Sequence, residues 1–140
     1  MNIDVHVHTR YYSTCSMIDP KDILDKVRKS NLDGIIITEH NAVWSQMERE
    51  KYKKEANDIL ILWGIEISCK SGLHYLVYFD LNNFSLNFYE NMDDFELFSK
   101  VHEIGGVVIP AHLFRYNKNK DFTDIFNSQI DGLEVKCIFR

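Results

Sequence analysis

The stretch Gly34-Ile-Ile-Ile-Thr-Glu-His-Asn41 carries a short apolar run that ends directly in polar residues. An almost wholly apolar run of this length is typical of a strand buried on both faces of a parallel sheet. Helical signals lie on both sides of it. Before it, Asp19 and Pro20 form a cap and a first helical position, and after it the highly charged residues 44–57 predict a solvent-facing helix. The stretch therefore predicts a parallel α/β fold.

Further strands and helices alternate on either side of this stretch. The predicted strands have apolar or alternating composition and cover residues 2–8, 59–68 (interrupted at Gly64), 73–79, 107–110 and 132–137. The predicted helices cover residues 19–31, 44–57, 93–104 and a short segment ending near residue 128, with loops at 81–91 and 117–120. This alternation favours a mostly parallel α/β sheet or barrel, in which chemistry gathers at the carboxyl ends of the strands.

Length and composition indicate a globular chain. Its 140 residues fit one domain, and 45% hydrophobic with 13% aromatic residues predicts a folded core. The formal charge of −5 argues against a nonspecific nucleic-acid binder, although it does not exclude a nuclease whose metals contact the phosphates. The three cysteines show no Cys-x-x-Cys pattern, which suggests a reducing compartment. With no membrane-length apolar run and no signal-peptide pattern, we expect a cytoplasmic protein without membrane contact.

The amino-terminal stretch Asp4-Val-His-Val-His-Thr9 places two histidines on one strand. Successive side chains of a strand point to opposite faces, so Asp4, His6 and His8 share one face. The other face carries apolar side chains, namely Ile3, Val5 and Val7. Two imidazoles at this spacing can chelate one metal ion, and Asp4 can orient an imidazole from behind. The alternative is a strand with two incidental histidines.

Other potential metal ligands also fall at or beside predicted strand ends, namely His40, Glu66, His74 and His112. Imidazole nitrogens and carboxylate oxygens suit divalent metals, and two such ions can activate water and neutralise charge on a phosphoryl group. Each residue also has a structural alternative: His40 as a cap, His74 as a half-buried strand residue, His112 as a loop residue. An unpaired Glu66 inside an apolar strand would be costly, which favours a cation partner. His102, on a predicted amphipathic helix, is expected to be structural.

The order of these motifs resembles that of the PHP (polymerase and histidinol phosphatase) family along essentially the whole chain. The matching segments are Asp-x-His-x-His-Thr, Thr-Glu-His-Asn, Gly-Ile-Glu-Ile-Ser, Gly-Leu-His-Tyr-Leu, Pro-Ala-His-Leu-Phe-Arg and Gly-Leu-Glu-Val. The resemblance implies a distorted, TIM-like, seven-stranded β/α barrel with two or three metals at the carboxyl ends of its strands. It also implies phosphoesterase activity, since members include histidinol-phosphate phosphatases, nucleases and domains attached to DNA polymerases.

The resemblance also assigns roles to individual residues. His6 and His8 would hold one metal, Glu66 would bridge to a second metal, and His40 would belong to a third site. The second metal would be completed by His74 and His112. Asp4 and Glu39 would lie behind the ligands. Arg115 would bind the substrate phosphate as a catalytic residue, with Arg10 a weaker candidate for the same role.

Several positions depart from the family pattern. Glu39 stands where an Asp is usual, and Leu113 where a Pro is usual. The first loop lacks the usual His or Asp, and Cys15 there is either a substitute ligand or an ordinary loop cysteine. No Ser-Asp-Ala-His-like motif follows Glu134. We therefore expect residues 1–140 to form a single PHP domain that lacks its carboxyl-terminal strand–helix units: a fragment, a barrel closed by a partner chain, or a site with fewer ligands.

The resemblance, together with these residues, implies a metal-dependent phosphoric ester hydrolase that uses two or three divalent ions, with Mn, Zn or Fe all suitable. The substrate would be a small phosphorylated molecule such as histidinol phosphate, a nucleotide, or a nucleic-acid end. The alternative is a degenerate or truncated PHP module that binds metal without catalysis. A metallo-amidohydrolase also begins with His-x-His, but no candidate for a carbamylated lysine stands in a matching place.

Overall fold

The computed structural model describes residues 1–81, 88–115 and 121–134 and shows a mixed α/β fold. Two compact units divide the chain, Met1–Ile65 and Glu66–Arg140. The predicted loop at 117–120 and most of the predicted loop at 81–91 lie outside the described residues. Of the described helices, none is long and apolar enough to span a membrane.

The first unit contains a parallel sheet, as the sequence predicts. Its strands are β1 (Ile3–Val7), β2 (Gly34–Ile37) and β3 (Leu60–Trp63), in that spatial order, and both neighbouring pairs are parallel. β2 lies in the centre, and its Ile35 and Ile37 side chains are fully buried. The buried apolar run in the sequence is thus explained by the central position of its strand.

Two helices connect the strands of the first unit. Helix α1 (Pro20–Arg28) begins as predicted, with Asp19 accepting a 3.0 Å hydrogen bond from the Lys21 amide and Pro20 in the first position. Helix α2 (Gln46–Glu55) is shorter than the predicted 44–57 because Ser45 caps it. Tyr52 of α2 is buried and donates a 2.6 Å hydrogen bond to the Pro20 carbonyl, and burial raises the pKa of its hydroxyl.

The second unit contains a sheet of β4 (Ile65–Ser68), β5 (His74–Tyr78) and β6 (Val107–Pro110), in that order. β5 and β6 are antiparallel, which departs from the mostly parallel sheet that the alternation of elements predicts. Alternation alone does not determine strand direction, because a chain can return from a helix in either sense. Gly72, with φ of +80°, forms the tight turn between β4 and β5.

The strand predicted over 59–68, with an interruption at Gly64, is divided between two sheets. β3 ends at Trp63 and β4 begins at Ile65, and the two belong to different sheets. The break falls at Gly64, whose amide donates a 2.9 Å hydrogen bond to the Ile37 carbonyl. A glycine inside a strand is a frequent point for such a bend, because it offers no side chain to pack.

In the second unit the two predicted helices are present, whereas the predicted last strand is not seen over its described residues. Helix α3 (Asp94–Glu103) is capped by Asp93, which accepts hydrogen bonds from the Phe95 and Glu96 amides. The short helix α4 spans Thr123–Phe126. The predicted last strand, 132–137, is not a strand over 132–134, and its remaining residues lie outside the described ranges.

Candidate functional site

Three histidines of the first unit converge at the carboxyl ends of β1 and β2: His6 lies in the last part of β1, and His8 and His40 follow the two strands. The Nε2 atoms of His6 and His8 are 3.0 Å apart. The His8 ring also stacks on the His40 ring, with centroids 4.5 Å apart and planes at 11°. The structure therefore brings together the histidines that the sequence predicted on these two strands. We call His6, His8, Cys15 and His40 the amino-terminal cluster.

The surroundings of β1 differ from the prediction in two details. Asp4 is exposed, and its Oδ1 accepts a 3.2 Å hydrogen bond from the backbone amide of His6. Val5, expected on an apolar buried face, is 43% exposed. Among the described strands, β1 pairs with β2 alone, and its register shifts between Asp4 and Val7, so strict alternation of burial is not kept.

Glu39 is the most enclosed charged residue of the first unit, with 1% exposure. Its carboxylate accepts hydrogen bonds from the amide and hydroxyl of Thr9, from the Ser13 hydroxyl at 2.5 Å and from the Trp44 indole at 3.0 Å. These donors lie after β1 and after β2. Glu39 thus connects the segment after β1, which carries His8, with the segment after β2, which carries His40. The sequence predicted a position behind the metal ligands for Glu39, but not these hydrogen bonds.

Ser13 connects this carboxylate to the histidines. Its hydroxyl donates to Glu39, accepts a 3.0 Å hydrogen bond from the His40 amide and lies 3.5 Å from His8 Nδ1. No sequence motif indicated a role for Thr9, Ser13 or Trp44 in this network. The available signal was Glu39 itself, a carboxylate directly after an apolar strand, which would need donor partners if buried.

Glu66, His74 and His112 form a second group, the carboxyl-terminal cluster. Glu66 is fully buried on β4, and its Oε1 lies 2.7 Å from His74 Nδ1 and 2.9 Å from His112 Nε2. The two imidazole rings meet edge to face, with centroids 5.3 Å apart. One carboxylate oxygen and two ring nitrogens from three separate segments therefore converge on one small region.

His112 is held in an uncommon backbone conformation. Its φ is +34°, in the left-handed region that non-glycine residues seldom adopt. Its amide donates a 2.5 Å hydrogen bond to a Glu134 carboxylate oxygen, and its carbonyl accepts a 2.9 Å bond from the Arg115 amide. Such strain persists where surrounding contacts over-determine it, often at functional sites. Glu134 therefore has a positioning contact that its sequence motif alone did not specify.

The two predicted phosphate-binding arginines are both exposed. Arg115 lies three residues after His112. Arg10 forms a 2.6 Å ion pair with Asp19, the capping residue of α1. The remaining histidine, His102, lies 3.0 Å from an Asp131 oxygen that also accepts from the Val108 amide. This contact between α3 and the segment after α4 agrees with the expected structural role of His102.

The donor chemistry of both clusters fits divalent metals. Tetrahedral zinc with Zn–N distances of about 2.0–2.1 Å would place two imidazole nitrogens about 3.3 Å apart. The His6–His8 separation of 3.0 Å is close to this value. Imidazole nitrogens and a carboxylate oxygen together suit borderline ions such as Zn, Fe and Mn. The fold and these clusters define the chain as a mixed α/β protein with candidate metal-binding centres.

Comparison with known proteins agrees with this class. The PHP domain family pattern matches residues 4–130. The uncharacterised protein MJ1587 of Methanocaldococcus jannaschii is 26% identical over 144 residues, which cover 96% of this chain and 81% of that protein. The chain belongs to the PHP domain family.

Solved structures show the same fold. A candidate metal-dependent phosphoesterase of Bifidobacterium adolescentis matches 95% of this chain and 76% of its own with a TM-score of 0.73 and 16% identity. Endonuclease Q, bound to a 27-mer duplex with an abasic lesion, matches 94% of this chain with a TM-score of 0.65 and 17% identity. This chain covers 41% of the Endonuclease Q chain, so only part of that protein is represented.

Proposed function

We propose that this chain is a metal-dependent phosphoesterase that hydrolyses a phosphate ester with activated water. The observation that carries the proposal is the carboxyl-terminal cluster, where buried Glu66 directs one oxygen at two imidazole nitrogens. A carboxylate removed from water needs compensating partners, and a dication with histidine ligands provides them. Bound dications supply a water nucleophile at neutral pH and neutralise charge that develops on the phosphoryl group.

The proposal assigns ligands by cluster. His6 and His8 hold one dication, while Glu66, His74 and His112 hold another. His40 belongs to a third position. The family resemblance supports these assignments, and two or three ions of Mn, Zn or Fe are the proposed complement. A single PHP domain over residues 1–140, a seven-stranded barrel that lacks its carboxyl-terminal strand–helix units in this chain, is part of the same proposal.

Residues behind the ligands are proposed to fix their orientation. Glu134 holds the His112 backbone, and Ser13 links the His40 amide to Glu39. Such contacts typically change metal affinity or activity by about 10–100-fold when removed. Arg115 is the proposed phosphate-binding residue, because a guanidinium can donate two parallel hydrogen bonds to phosphate oxygens. Arg10 is the second candidate, although it would have to exchange its pairing with Asp19.

Phosphate release in the presence of divalent metal tests the proposal. We expect His8→Ala and Glu66→Ala each to lower the rate by at least about 100-fold, since each removes a ligand. His102→Ala is the matched control, because this histidine pairs with Asp131 outside both clusters. Full activity in both ligand variants would contradict the proposal. Metal binding without turnover on any phosphoester would instead indicate a metal-binding PHP module without catalysis.

Substrate class can be separated by comparing two substrates under the same conditions. One is a small phosphomonoester such as histidinol phosphate, and the other is a 5′-phosphorylated oligonucleotide. The acidic balance of −5 favours the small substrate, because a polyanion gains little long-range attraction from such a chain. The likeness to Endonuclease Q, whose structure holds duplex DNA, supports the nucleic-acid end. A higher kcat/KM for either substrate decides between them.

A further inference from the structure

We propose that His8, Cys15 and His40 form a metal site with a sulfur ligand, and that this site prefers zinc to manganese or magnesium. The proposal assigns His8 to a site with Cys15 and His40, as an alternative to its pairing with His6 under the proposed function. It concerns ligation and holds whether or not the chain hydrolyses phosphate esters. Each of the three residues offers a ligand atom, and these atoms all lie within 4.8 Å of one another. All three belong to the same compact unit, Met1–Ile65.

The three ligand atoms lie within 4.8 Å of one another and would have to come closer to reach tetrahedral zinc distances. Zn–S of about 2.3 Å and Zn–N of about 2.0–2.1 Å place a sulfur and a nitrogen about 3.6 Å apart. The Cys15 side chain is exposed and is in no disulfide, so an ion can reach its sulfur. The His8 and His40 rings stack with centroids 4.5 Å apart and planes at 11°, so one ring would have to turn before both direct a nitrogen at the same ion.

Hydrogen bonds on both sides of Cys15 attach its loop to the two histidines. Before it, the Ser13 hydroxyl accepts from the His40 amide at 3.0 Å. After it, the Ser16 hydroxyl donates to the His8 carbonyl at 3.0 Å, and the Ser16 amide donates to the Ser13 carbonyl at 3.0 Å. Cys15 is therefore held near both histidines by its neighbours, which is the preorganisation that a ligand requires.

The other described cysteine, Cys69, is buried, whereas Cys15 is exposed. Burial together with nearby Asp94 and Asp93 raises the pKa of the Cys69 thiol to about 12. A buried thiol of this kind is chemically inert, whereas ligands and nucleophiles act as thiolates. Within the described ranges, Cys15 is the cysteine placed among potential metal ligands. Cys69 therefore provides a matched control.

The chemical consequence is metal selectivity. Thiolate is a soft ligand that suits zinc, whereas manganese and magnesium prefer carboxylate, carbonyl and water oxygens. A site with one sulfur and two imidazole nitrogens therefore differs from the carboxyl-terminal cluster, which offers oxygen and nitrogen. We expect Cys15→Ser to weaken zinc binding at this site by at least about tenfold, by analogy with the loss of a supporting group. Manganese binding to the chain should stay unchanged.

Cobalt substitution tests the sulfur ligand without any activity measurement. Titration of the full chain with Co²⁺ should produce sulfur-to-cobalt charge-transfer absorption in the near ultraviolet. The band should disappear in Cys15→Ser and weaken in His40→Ala. It should persist in Cys69→Ala and in His6→Ala, because His6 is not a member of this site.

A second measurement tests the same site through the reactivity of the Cys15 thiol. In a Cys69→Ala, Cys137→Ala background, zinc should slow the reaction of Cys15 with a thiol reagent, and manganese should not. The absence of a charge-transfer band in the wild-type chain with cobalt bound, or its persistence in Cys15→Ser, would overturn the proposal. Equal protection by zinc and manganese would also overturn it.

Discussion

Glu39 illustrates how one buried carboxylate can organise a metal-binding region from behind. It is nearly inaccessible to water and accepts hydrogen bonds from Thr9, Ser13 and Trp44. Hydrogen bonds to an ionised acceptor are roughly twice as strong as neutral ones. The same contacts carry the backbone after β1 and after β2, so the positions of His8 and His40 depend on them.

Removal of this carboxylate should therefore destabilise the fold. We expect Glu39→Ala to lower the free energy of unfolding by about 3 kcal/mol, because several buried donors lose their acceptor. Urea denaturation of the metal-free chain measures the change. Glu50→Ala is the control, since Glu50 is exposed, and its effect should stay below about 0.5 kcal/mol. Equal losses in the two variants would show that the Glu39 contacts contribute nothing specific.

At the scale of elements, the parallel sheet of the first unit requires glycine at one position. A Cβ added to Gly34 would lie against the Leu60 carbonyl and 2.7 Å from Leu60 Cβ on the neighbouring strand. Both residues belong to paired strands, β2 and β3, whose register matches them directly. The backbone of one strand must therefore shift before any larger residue can be accommodated.

We expect Gly34→Ala to lower the free energy of unfolding by about 1–3 kcal/mol, the usual effect of overpacking. Denaturant unfolding gives the value. Gly132→Ala is the matched glycine control, because its added Cβ would lie 3.4 Å from the nearest atom, Ile109 Cδ1. A Gly34 variant as stable as the Gly132 variant would refute the close approach of β2 and β3.

The start of α2 should make stability depend on pH. Glu48 accepts from Ser45 at 2.6 Å and from Tyr12 at 2.8 Å, and these hydrogen bonds lower its pKa below the ordinary 4.5. Because the folded pKa is the lower one, this stabilisation is complete above the ordinary value and is lost as pH falls through the depressed value. The stability advantage of the wild type over Glu48→Gln should thus be constant above the ordinary pKa of 4.5 and shrink as pH falls below it. An advantage that grows on acidification would contradict this assignment.

For the molecule as a whole, the features of the fold that depend on local sequence were predicted, and those that depend on contacts between distant segments were not. Asp19 and Pro20 predicted the start of α1, and the isoleucines after Gly34 predicted a buried parallel strand, because caps and buried strands leave local patterns. The antiparallel pairing of β5 and β6 was not predictable, since strand direction is set by packing between distant segments. The division of 59–68 between two sheets escaped for the same reason.

In the candidate site, too, the sequence predicted which residues take part but not the contacts that position them. The order of the motifs indicated the histidines and Glu66 as candidate ligands. The structure shows that these residues converge within each cluster. The network around Glu39 could not be predicted, because Thr9 and Ser13 are common residues whose partners are distant in sequence. The positive φ of His112 likewise arises from tertiary contacts with Glu134 and the following turn. The roles of these residues in metal binding stay predictions.

The central claim is that the two clusters hold divalent metal ions, and metal content per purified chain tests it most directly. We predict two or more ions in the wild-type chain after equilibration with zinc or manganese. A His6→Ala, His8→Ala double variant and a Glu66→Ala variant should each lose at least one ion, while His102→Ala retains all of them. A wild-type chain that binds one ion or none, or ligand variants that bind as many as the wild type, would contradict the account.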